Sequence, residues 1–558
     1  MACTKVGTAL TMNLTAEFTL VNITDSLFTG HILTTGRLAS LSSIARKAIG
    51  QRDWQTLESA ASGLSAEFPD ESETYFVAGV LAKVRGWHGE AEKRFEQGLA
   101  LAPERYDLVV ELASLYAVAL RHREAYALLS PVASKLASSP FYCDLAGSVF
   151  VQLGMPERAL PLLQRAHQLQ PDVDIFAANL AHCLGFVGEH KQSAEIYAAL
   201  LRQSPNHRRN HYALARARRA LDTRHIEQMG EIIHNEPAPE NRNVPLFFAL
   251  GKEYEDLGMW EKAYDAYQTG CKVVWSTRQS GFERELARLQ QTAGMEWRDE
   301  PALPRLASGQ DGKTPLFIVG LPRTGSTLLE RILTNHSQVT SLGETRYFEL
   351  AMRQVFGSVE EAMAHLPKCE KSLAGAVAKC YMDALLFRLE DCRFFIDKLP
   401  LNFNFVPAIA SALPEAKFIY INRTAEATCW SMYKQLFMGE YAFSYDQQEL
   451  GQYFCAHDRY RLRFSERLGD RWLEVDYEAL VTRPEREIPA LLGRLDLAEE
   501  EACLTPHKNP APSMTASSVQ IREPIHQNVL SSWRHFEPFL EPLLVSLGEH
   551  ARDQSSDD

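Results

Sequence analysis

Apolar residues recur at a regular long period through the first half of the chain, from about Leu38 to Val274. Small or apolar residues stand 34 positions apart at Leu57, Ala91, Ala125, Ala159 and Ser193. From the second copy onward another apolar residue follows four positions later, at Phe95, Leu129, Leu163 and Tyr197. Positions four apart share one face of a helix, so the pattern predicts repeated amphipathic helices. Proline disfavours helix at and just before itself, and the prolines predicted to end these helices are Pro69, Pro103, Pro140, Pro171 and Pro205.

The period and the small residues resemble the tetratricopeptide repeat (TPR), a pair of antiparallel helices that buries its face only against neighbouring repeats. The register slips after Ser193, and the copy from about Arg209 to Glu236 is degenerate. The resemblance implies an N-terminal helical solenoid over residues 37–280. Such an array serves either as a groove for a peptide or protein partner or as a rigid spacer or dimerisation surface, and the sequence leaves both open.

Four short apolar runs in the second half predict buried strands, at Leu316–Val319, Phe394–Ile396, Phe418–Ile421 and Trp472–Val475. Helical stretches separate them, which indicates an α/β domain with a mostly parallel sheet. Ligands of such sheets bind beyond the carboxyl ends of the strands. The polar residues just past those ends are Arg323, Lys398, Arg423 and Tyr477. We therefore predict an anion site at this edge.

The first of these strands runs into a glycine-containing loop and then a helix. This is the geometry of a phosphate-binding loop, because backbone N–H groups and a helix N-terminus can surround an anion. The candidate anion-binding residues here are Arg323, Thr324, Gly325, Ser326 and Thr327. Ser326 stands where the nucleotide P-loop has a lysine, which favours a ligand with less charge to neutralise than Mg-ATP.

The segment F-I-V-G-L-P-R-T-G-S-T-L-L (residues 317–329) resembles the 5′-phosphosulfate loop of sulfotransferases that use 3′-phosphoadenosine-5′-phosphosulfate (PAPS). The motif G-E-T-R at Gly343–Arg346 is similar to the tyrosylprotein sulfotransferase branch of that class. The resemblance covers the chain from about Thr314 to about Leu547. It implies a P-loop-like α/β sulfotransferase domain behind the TPR solenoid, with PAPS as co-substrate, 3′,5′-adenosine bisphosphate as product and no metal.

The resemblance also implies roles in donor binding. Arg323 and the backbone of Thr324–Thr327 hold the 5′-phosphosulfate. Arg423 and Ser431 hold the 3′-phosphate, for which the planar guanidinium is suited. Tyr477 lines the nucleotide site.

The catalytic roles implied by the resemblance fall on Glu344, Lys398, Ser518 and Arg323. Glu344 is the expected general base for the acceptor hydroxyl, with Arg346 placed to orient it. Lys398 and Ser518 are expected to stabilise the charge that develops on the leaving oxygen.

The sequence departs from the family pattern at several positions. Asn422 and Thr424 flank Arg423, which the family usually follows with Asp or His. Gln435 stands where the tyrosylprotein branch tends to have a second arginine, and Lys434 is the adjacent cation. Ser532 replaces a lysine of that branch, with Arg534 nearby.

Composition limits the remaining possibilities. With 46% hydrophobic and 23% charged residues the chain reads as globular, and its net charge of −13 argues against non-specific nucleic-acid binding. The ten cysteines show no zinc-like spacing or disulfide framework, which favours a reducing compartment. No apolar run reaches transmembrane length and no signal peptide is evident, so we expect a cytoplasmic protein.

The expected organisation is a loosely ordered extension (residues 1–36), TPR repeats (37–280), a linker (281–312) with the domain boundary near Asp311, a sulfotransferase domain (313–549) and a disordered tail (550–558). The acceptor hydroxyl of a sulfotransferase could belong to a protein, a peptide tyrosine or a small molecule. Two other functions remain open on the sequence alone: a P-loop kinase or NTPase, and a TPR scaffold with a degenerate second domain.

Overall fold

The computed structural model describes residues 36–235, 240–278, 281–293, 312–389, 392–437 and 439–554. The predicted N-terminal extension, the end of the predicted linker with its boundary near Asp311, and the last four residues of the predicted tail lie outside these ranges. The chain divides into two compact units, the first ending at Gln203 and the second beginning at Ser204.

The first unit is helical, and consecutive helices pack in pairs: α1 with α2, α3 with α4, and so on to α9 with α10. Their bounds are α1 Arg37–Gln51, α2 Trp54–Glu67, α3 Ser72–Val84, α4 His88–Leu101, α5 Tyr106–Val118, α6 His122–Leu129, α7 Pro140–Gln152, α8 Pro156–Leu169, α9 Asp174–Val187 and α10 His190–Gln203.

The positions of the 34-residue period lie in the contacts between paired helices. All five positions of the first set, from Leu57 to Ser193, are buried, as are the four apolar residues that follow them. A Cβ added at Gly79 would lie 2.4 Å from the ring of Phe95, and one at Gly147 would lie 2.7 Å from Leu163. Small residues therefore let each helix approach its partner closely, as the repeat pattern predicts.

Four of the five prolines follow a helix end, but Pro140 does not. Helix α6 already ends at Leu129, and Pro140 occupies the first turn of α7. The prediction that Pro140 stops a helix is wrong. Proline is favoured at a helix start because the first turn needs no N–H from it.

The second unit begins with helices and continues into an α/β domain. Its helices are α11 Arg208–Ala217, α12 Arg224–Asn235, α13 Glu240–Asp256, α14 Trp260–Thr277, α15 Phe282–Ala293, α16 Ser326–Thr334, α17 Tyr347–Phe356, α18 Val359–His365, α19 Lys371–Leu385, α20 Val406–Ala412, α21 Ala425–Tyr433, α22 Gln447–Leu468, α23 Tyr477–Thr482, α24 Pro484–Arg494, α25 Asn528–Ser531 and α26 Glu541–Gln554. Its strands are β1 Thr314–Val319, β2 Val339–Ser341, β3 Phe394–Lys398, β4 Lys417–Asn422 and β5 Trp472–Asp476.

The five strands form one sheet in the order β2-β3-β1-β4-β5, and every neighbouring pair is parallel. Alternate residues enter two different cores: Phe317 lies in one, while Leu316 and Ile318 lie in the other. Burial of both faces explains why these strands read as continuous apolar runs. The predicted α/β fold with a parallel sheet is confirmed, whereas β2 was not predicted.

Two helices lie in segments that were predicted to be a linker or a disordered tail. Helix α15 lies within the predicted linker, and α26 extends to Gln554, inside the predicted tail. Within the described ranges, no helix has both the length and the apolar character needed to cross a membrane.

Candidate functional site

The sequence-predicted residues follow one another along the carboxyl edge of the sheet. From the strand order they are Glu344 after β2, Lys398 at the end of β3, Arg323 after β1, Arg423 after β4 and Tyr477 after β5. The register aligns Ile318 of β1 with Lys398. The five residues lie far apart in the sequence, between Arg323 and Tyr477, and the parallel pairing of the strands brings them to one edge of the sheet.

The loop between β1 and α16 is held in an unusual backbone conformation. Gly320 and Gly325 have φ of 138° and 105°, and Arg323, although not a glycine, has φ of 69°. A Cβ at Gly325 would lie 2.3 Å from the ring of Tyr477, so the backbone and that ring are in close contact. A non-glycine residue in the left-handed region is a form of strain that clusters at functional sites.

The hydroxyl groups of this loop differ in their contacts. Thr324 Oγ1 donates to the carbonyl oxygen of Leu321 at 3.0 Å, and Thr327 Oγ1 lies 3.3 Å from Thr515 Oγ1. Ser326 begins α16, and no side chain caps this helix start. Thr324 therefore braces the loop, while the first N–H groups of α16 keep their capacity for an anion.

Arg323 and Arg423 lie together on one side of this loop. Arg323 Nε donates to Ser431 Oγ at 3.3 Å, and its Nη1 donates to Ser517 Oγ at 2.5 Å. Arg423 Nη1 donates to the carbonyl oxygen of Arg323 at 2.8 Å, and its guanidinium lies 4.8 Å from the ring centroid of Tyr477. The structure therefore brings Arg323, Arg423, Ser431 and Tyr477 together.

Neither arginine has a carboxylate within ion-pair distance among the residues that the structure describes. Burial first, and then the neighbouring charges of Arg216 and Arg423, lower the pKa of Arg323 to about 10. Burial also lowers the pKa of Arg423, and its buried Nε has no hydrogen-bond partner in the described part of the chain. Partly buried cations without a charged partner are costly, and an anion would satisfy them.

Lys398, at the end of β3, is fully buried. Its Nζ donates to Glu344 Oε1 at 2.6 Å and lies 3.6 Å from Glu330 Oε2. Burial by itself lowers the pKa of Lys398, but the two carboxylates outweigh it, so that the pKa lies above its ordinary value. The lysine is therefore charged at neutral pH. Glu344 is 37% exposed, and Oε1 is the oxygen that contacts Lys398.

The buried carboxyl group of Asp397 connects the segment that carries Lys398 with the segment that carries Glu344. Asp397 accepts hydrogen bonds from Thr345 Oγ1 and Tyr381 Oη, both at 3.0 Å, and from Asn402 Nδ2 at 3.1 Å. Burial raises the pKa of Asp397 to about 7. Since Asp397 precedes Lys398 and Thr345 follows Glu344, this network holds Lys398 and Glu344 in register.

One predicted contact is not formed within the described residues. Arg346 was expected to orient Glu344, but it pairs with Glu349 at 2.5 Å and with Glu440 at 3.6 Å instead. The role expected for Ser518 at the leaving oxygen stays a prediction. The neighbouring Ser517 is the serine that contacts a site residue, Arg323.

At Gln435 and Ser532, where the sequence departs from the family pattern, the neighbouring cations contact other side chains. Lys434, adjacent to Gln435, pairs with Glu255 of α13 at 2.6 Å. Arg534 lies 5.3 Å from the ring centroid of Trp533, its neighbour. Thr424 donates to Glu478 from both its N–H and its hydroxyl, at 3.2 Å.

Three residues of the site were missed by sequence reasoning. Glu330 lies four positions after Ser326 on α16, and that helical spacing was the available signal. Ser517 lies one position from the predicted serine. Arg216 belongs to α11 and contributes to the charge around Arg323, and no local pattern connects it to the sheet edge.

The profile of the sulfotransferase family matches residues 315–501. An uncharacterized protein of Aquifex aeolicus (strain VF5) is 25% identical over 425 residues, which cover 74% of this chain and 55% of that protein. This chain thus spans about half the length of that relative. Protein-tyrosine sulfotransferase 1 of Danio rerio is 26% identical over 288 residues, which cover 46% of this chain and 81% of that protein.

Among solved structures, the sulfotransferase domain from the curacin biosynthetic pathway is 18% identical, with a TM-score of 0.32, and the match covers 45% of this chain and 99% of that chain. YrrB, a TPR protein with an unusual peptide-binding site, is 18% identical with a TM-score of 0.26, and the match covers 37% of this chain and 97% of that chain. The match to the sulfotransferase family model thus falls on the part of the chain that forms the parallel sheet, and the helical region before it carries the paired helices at the 34-residue period.

Proposed function

We propose that this protein is a sulfotransferase that moves the sulfuryl group of PAPS to an acceptor hydroxyl. The main support is that Arg323, in the glycine loop, and Arg423, which donates to the Arg323 carbonyl oxygen, have no carboxylate partner among the described residues. Guanidinium groups placed in this way match the oxygens of phosphate.

The donor site has further features that fit PAPS. Tyr477 packs so closely on Gly325 that no side chain fits there, which leaves the loop backbone bare. The buried Nε–H of Arg423 has no hydrogen-bond partner among the described residues and can donate to a phosphate oxygen. Ser326 in place of a P-loop lysine favours a donor other than Mg-ATP. Together these support Arg423 and Ser431 at the 3′-phosphate and the loop with Arg323 at the 5′-phosphosulfate.

The transfer requires a base for the acceptor and a cation for the leaving group. Glu344 accepts the acceptor proton as the acceptor oxygen bonds to sulfur, and its partial exposure gives the hydroxyl access. Lys398 stabilises the negative charge that forms on the bridging oxygen when the sulfur–oxygen bond breaks. Ser518 is assigned to the same oxygen by the family motif. The released product is 3′,5′-adenosine bisphosphate.

We infer that the acceptor is a tyrosine of a peptide or protein. The support is the G-E-T-R motif at Gly343–Arg346 and the similarity to a protein-tyrosine sulfotransferase of Danio rerio. The TPR-like helices would present the polypeptide acceptor or bind a protein partner.

The test is transfer of label from sulfur-labelled PAPS to a panel of tyrosyl peptides, small phenols and saccharides. We expect labelled peptide from the wild type and none from Glu344→Ala. Label on phenols or saccharides alone would overturn the peptide acceptor. No label on any acceptor, with no nucleotide binding, would favour the TPR scaffold.

A further inference from the structure

The last turn of α11 brings a cation to the segment that covers the donor loop. Arg216 Nη2 donates to the carbonyl oxygen of Ala516 at 3.5 Å. The next residue, Ser517, accepts the hydrogen bond from Arg323 Nη1 at 2.5 Å. Two arginines from distant parts of the sequence therefore hold two consecutive residues of one segment.

The Arg216 side chain contacts the ring of Tyr212. Tyr212 lies one helical turn earlier on α11, and the guanidinium carbon of Arg216 is 5.6 Å from its ring centroid. Residues four apart share a helix face, and a guanidinium over a tyrosine ring is attracted by the ring quadrupole. Tyr212 itself packs against the core that includes Phe317 of β1, so α11 is anchored to the α/β domain.

Arg216, Arg323 and Arg423 form a cluster of like charge, which we call the arginine cluster. None of the three has a carboxylate within ion-pair distance in the ranges that the structure describes. This is notable because the chain carries 71 acidic and 58 basic residues. Arg216 and Arg323 hold the consecutive residues Ala516 and Ser517, and the charge of Arg216 adds to the lowering of the pKa of Arg323. A bound polyanion would convert this repulsion into attraction.

We propose that Arg216 is a further donor-binding residue, supplied by the helical region, that contacts the 3′-phosphate of the nucleotide. This inference rests on the proposed function. The choice of the 3′-phosphate follows from the contacts that connect Arg216, through the segment at Ala516 and Ser517, with Arg323. Arg323 links it to Ser431 and Arg423, whereas Lys398, assigned to the leaving oxygen, pairs with Glu330 and Glu344.

Lys434, the other cation considered for this phosphate, is engaged by Glu255 at 2.6 Å. Arg216 is exposed, and its contacts are the ring of Tyr212 and, at 3.5 Å, the carbonyl oxygen of Ala516. It is therefore the cation that can turn towards an anion without breaking an ion pair. Its position at the exposed rim also limits its contribution, so we expect a loss of about tenfold in affinity on its removal.

The test is calorimetric titration of the full-length protein with 3′,5′-adenosine bisphosphate and, separately, with adenosine 5′-monophosphate. Arg216→Gln is compared with the wild type and with Arg219→Gln. Arg219 is an exposed arginine three residues further on, whose contact is the carbonyl oxygen of Asp256 at 3.4 Å. We expect Arg216→Gln to weaken the bisphosphate about tenfold and to leave the monophosphate unchanged, while Arg219→Gln matches the wild type.

The outcomes separate the inference from the function on which it rests. Equal weakening of both nucleotides would mean that Arg216 acts only by holding the segment at Ala516, and would overturn the assignment. Wild-type affinity in Arg216→Gln, with binding lost in Arg423→Ala, would overturn the inference alone. Absence of nucleotide binding in the wild type would overturn the proposed function as well.

Discussion

Lys398 Nζ lies 2.6 Å from Glu344 Oε1, so that the proposed leaving-group cation and the proposed general base form an ion pair. The pair is asymmetric, because Lys398 is fully buried while the Glu344 side chain is 37% exposed. The exposed carboxylate can meet an acceptor from outside, and the buried ammonium can stay fixed. Each residue is therefore the nearest opposite charge to the other.

Replacement of Lys398 by Met tests the cation. Loss of a preorganised charge at the leaving oxygen is expected to reduce kcat by about 100- to 1,000-fold. Affinity for 3′,5′-adenosine bisphosphate should change much less, because Arg323 and Arg423 remain. The measurement is turnover of labelled PAPS beside calorimetric binding. Lys434→Met, which removes a lysine paired with Glu255, is the matched control and should keep turnover near wild type. Unchanged turnover in Lys398→Met would remove this residue from the mechanism.

Glu344→Gln and Glu330→Gln distinguish the base from a second carboxylate near the same lysine. Glu330 Oε2 lies 3.6 Å from Lys398, but its side chain is only 12% exposed. We expect Glu344→Gln to lower kcat by about 100-fold or more, since a positioned base contributes about 100- to 10,000-fold. Glu330→Gln should cost less than about tenfold. The reverse order of effects would assign the base to Glu330.

Gly325→Ala tests the close contact under the donor loop. The new Cβ would meet the Tyr477 ring at 2.3 Å and would also hold an unfavourable φ of 105°. Such strain costs about 1–3 kcal/mol, and the displaced loop should lose at least tenfold in nucleotide affinity. Gly343→Ala is the control, because φ there is 71° but no atom lies within 4 Å of the added Cβ. Equal nucleotide affinity in both variants would show that the Tyr477 contact does not matter.

The buried Asp397 carboxyl group predicts a pH dependence of stability. Its pKa of about 7 in the folded state lies above the ordinary value of 3.8, so between these pH values the folded chain holds a proton that the unfolded chain releases. Stability is then greatest below pH 4 as far as this group is concerned, and falls as pH rises towards 7. At about 1.4 kcal/mol per pH unit, the total is at most about 4 kcal/mol.

Asp397→Asn removes the titrating group while keeping its shape. The slope of the urea midpoint against pH between 4 and 7 should flatten in this variant. A slope equal to that of the wild type would mean that Asp397 does not titrate in this window.

Much of the fold follows from the sequence because its patterns are local. The 34-residue period records helix pairs, and four strands stand out as apolar runs because helices cover both faces of the sheet. Strand β2 escapes this reasoning: Val339–Ser341 has one apolar residue, and its pairing with β3 is what makes it a strand. Pro140 was misjudged because proline both ends helices and begins them.

The site was predictable where strand ends place residues, and less so where distant segments meet. Arg323, Arg423 and Ser431 are brought together, since each belongs to the sheet edge or to the helix after it. The contact of Ser517 with Arg323 depends on the path of a segment almost 200 residues later, and the one-position difference from Ser518 is invisible in a motif. Arg346 was assigned from proximity in sequence, yet helical spacing gives it to Glu349, three positions on.

The central claim is that Arg323, Arg423 and the glycine loop seat an adenosine 3′-phosphate 5′-phosphosulfate. Thermal unfolding of the wild type and of Arg423→Ala, with saturating 3′,5′-adenosine bisphosphate or Mg-ATP, tests it most directly. We expect the bisphosphate to raise the Tm of the wild type, Mg-ATP to leave it unchanged, and Arg423→Ala to lose the shift. Stabilisation by Mg-ATP alone would contradict it and point to a kinase or NTPase.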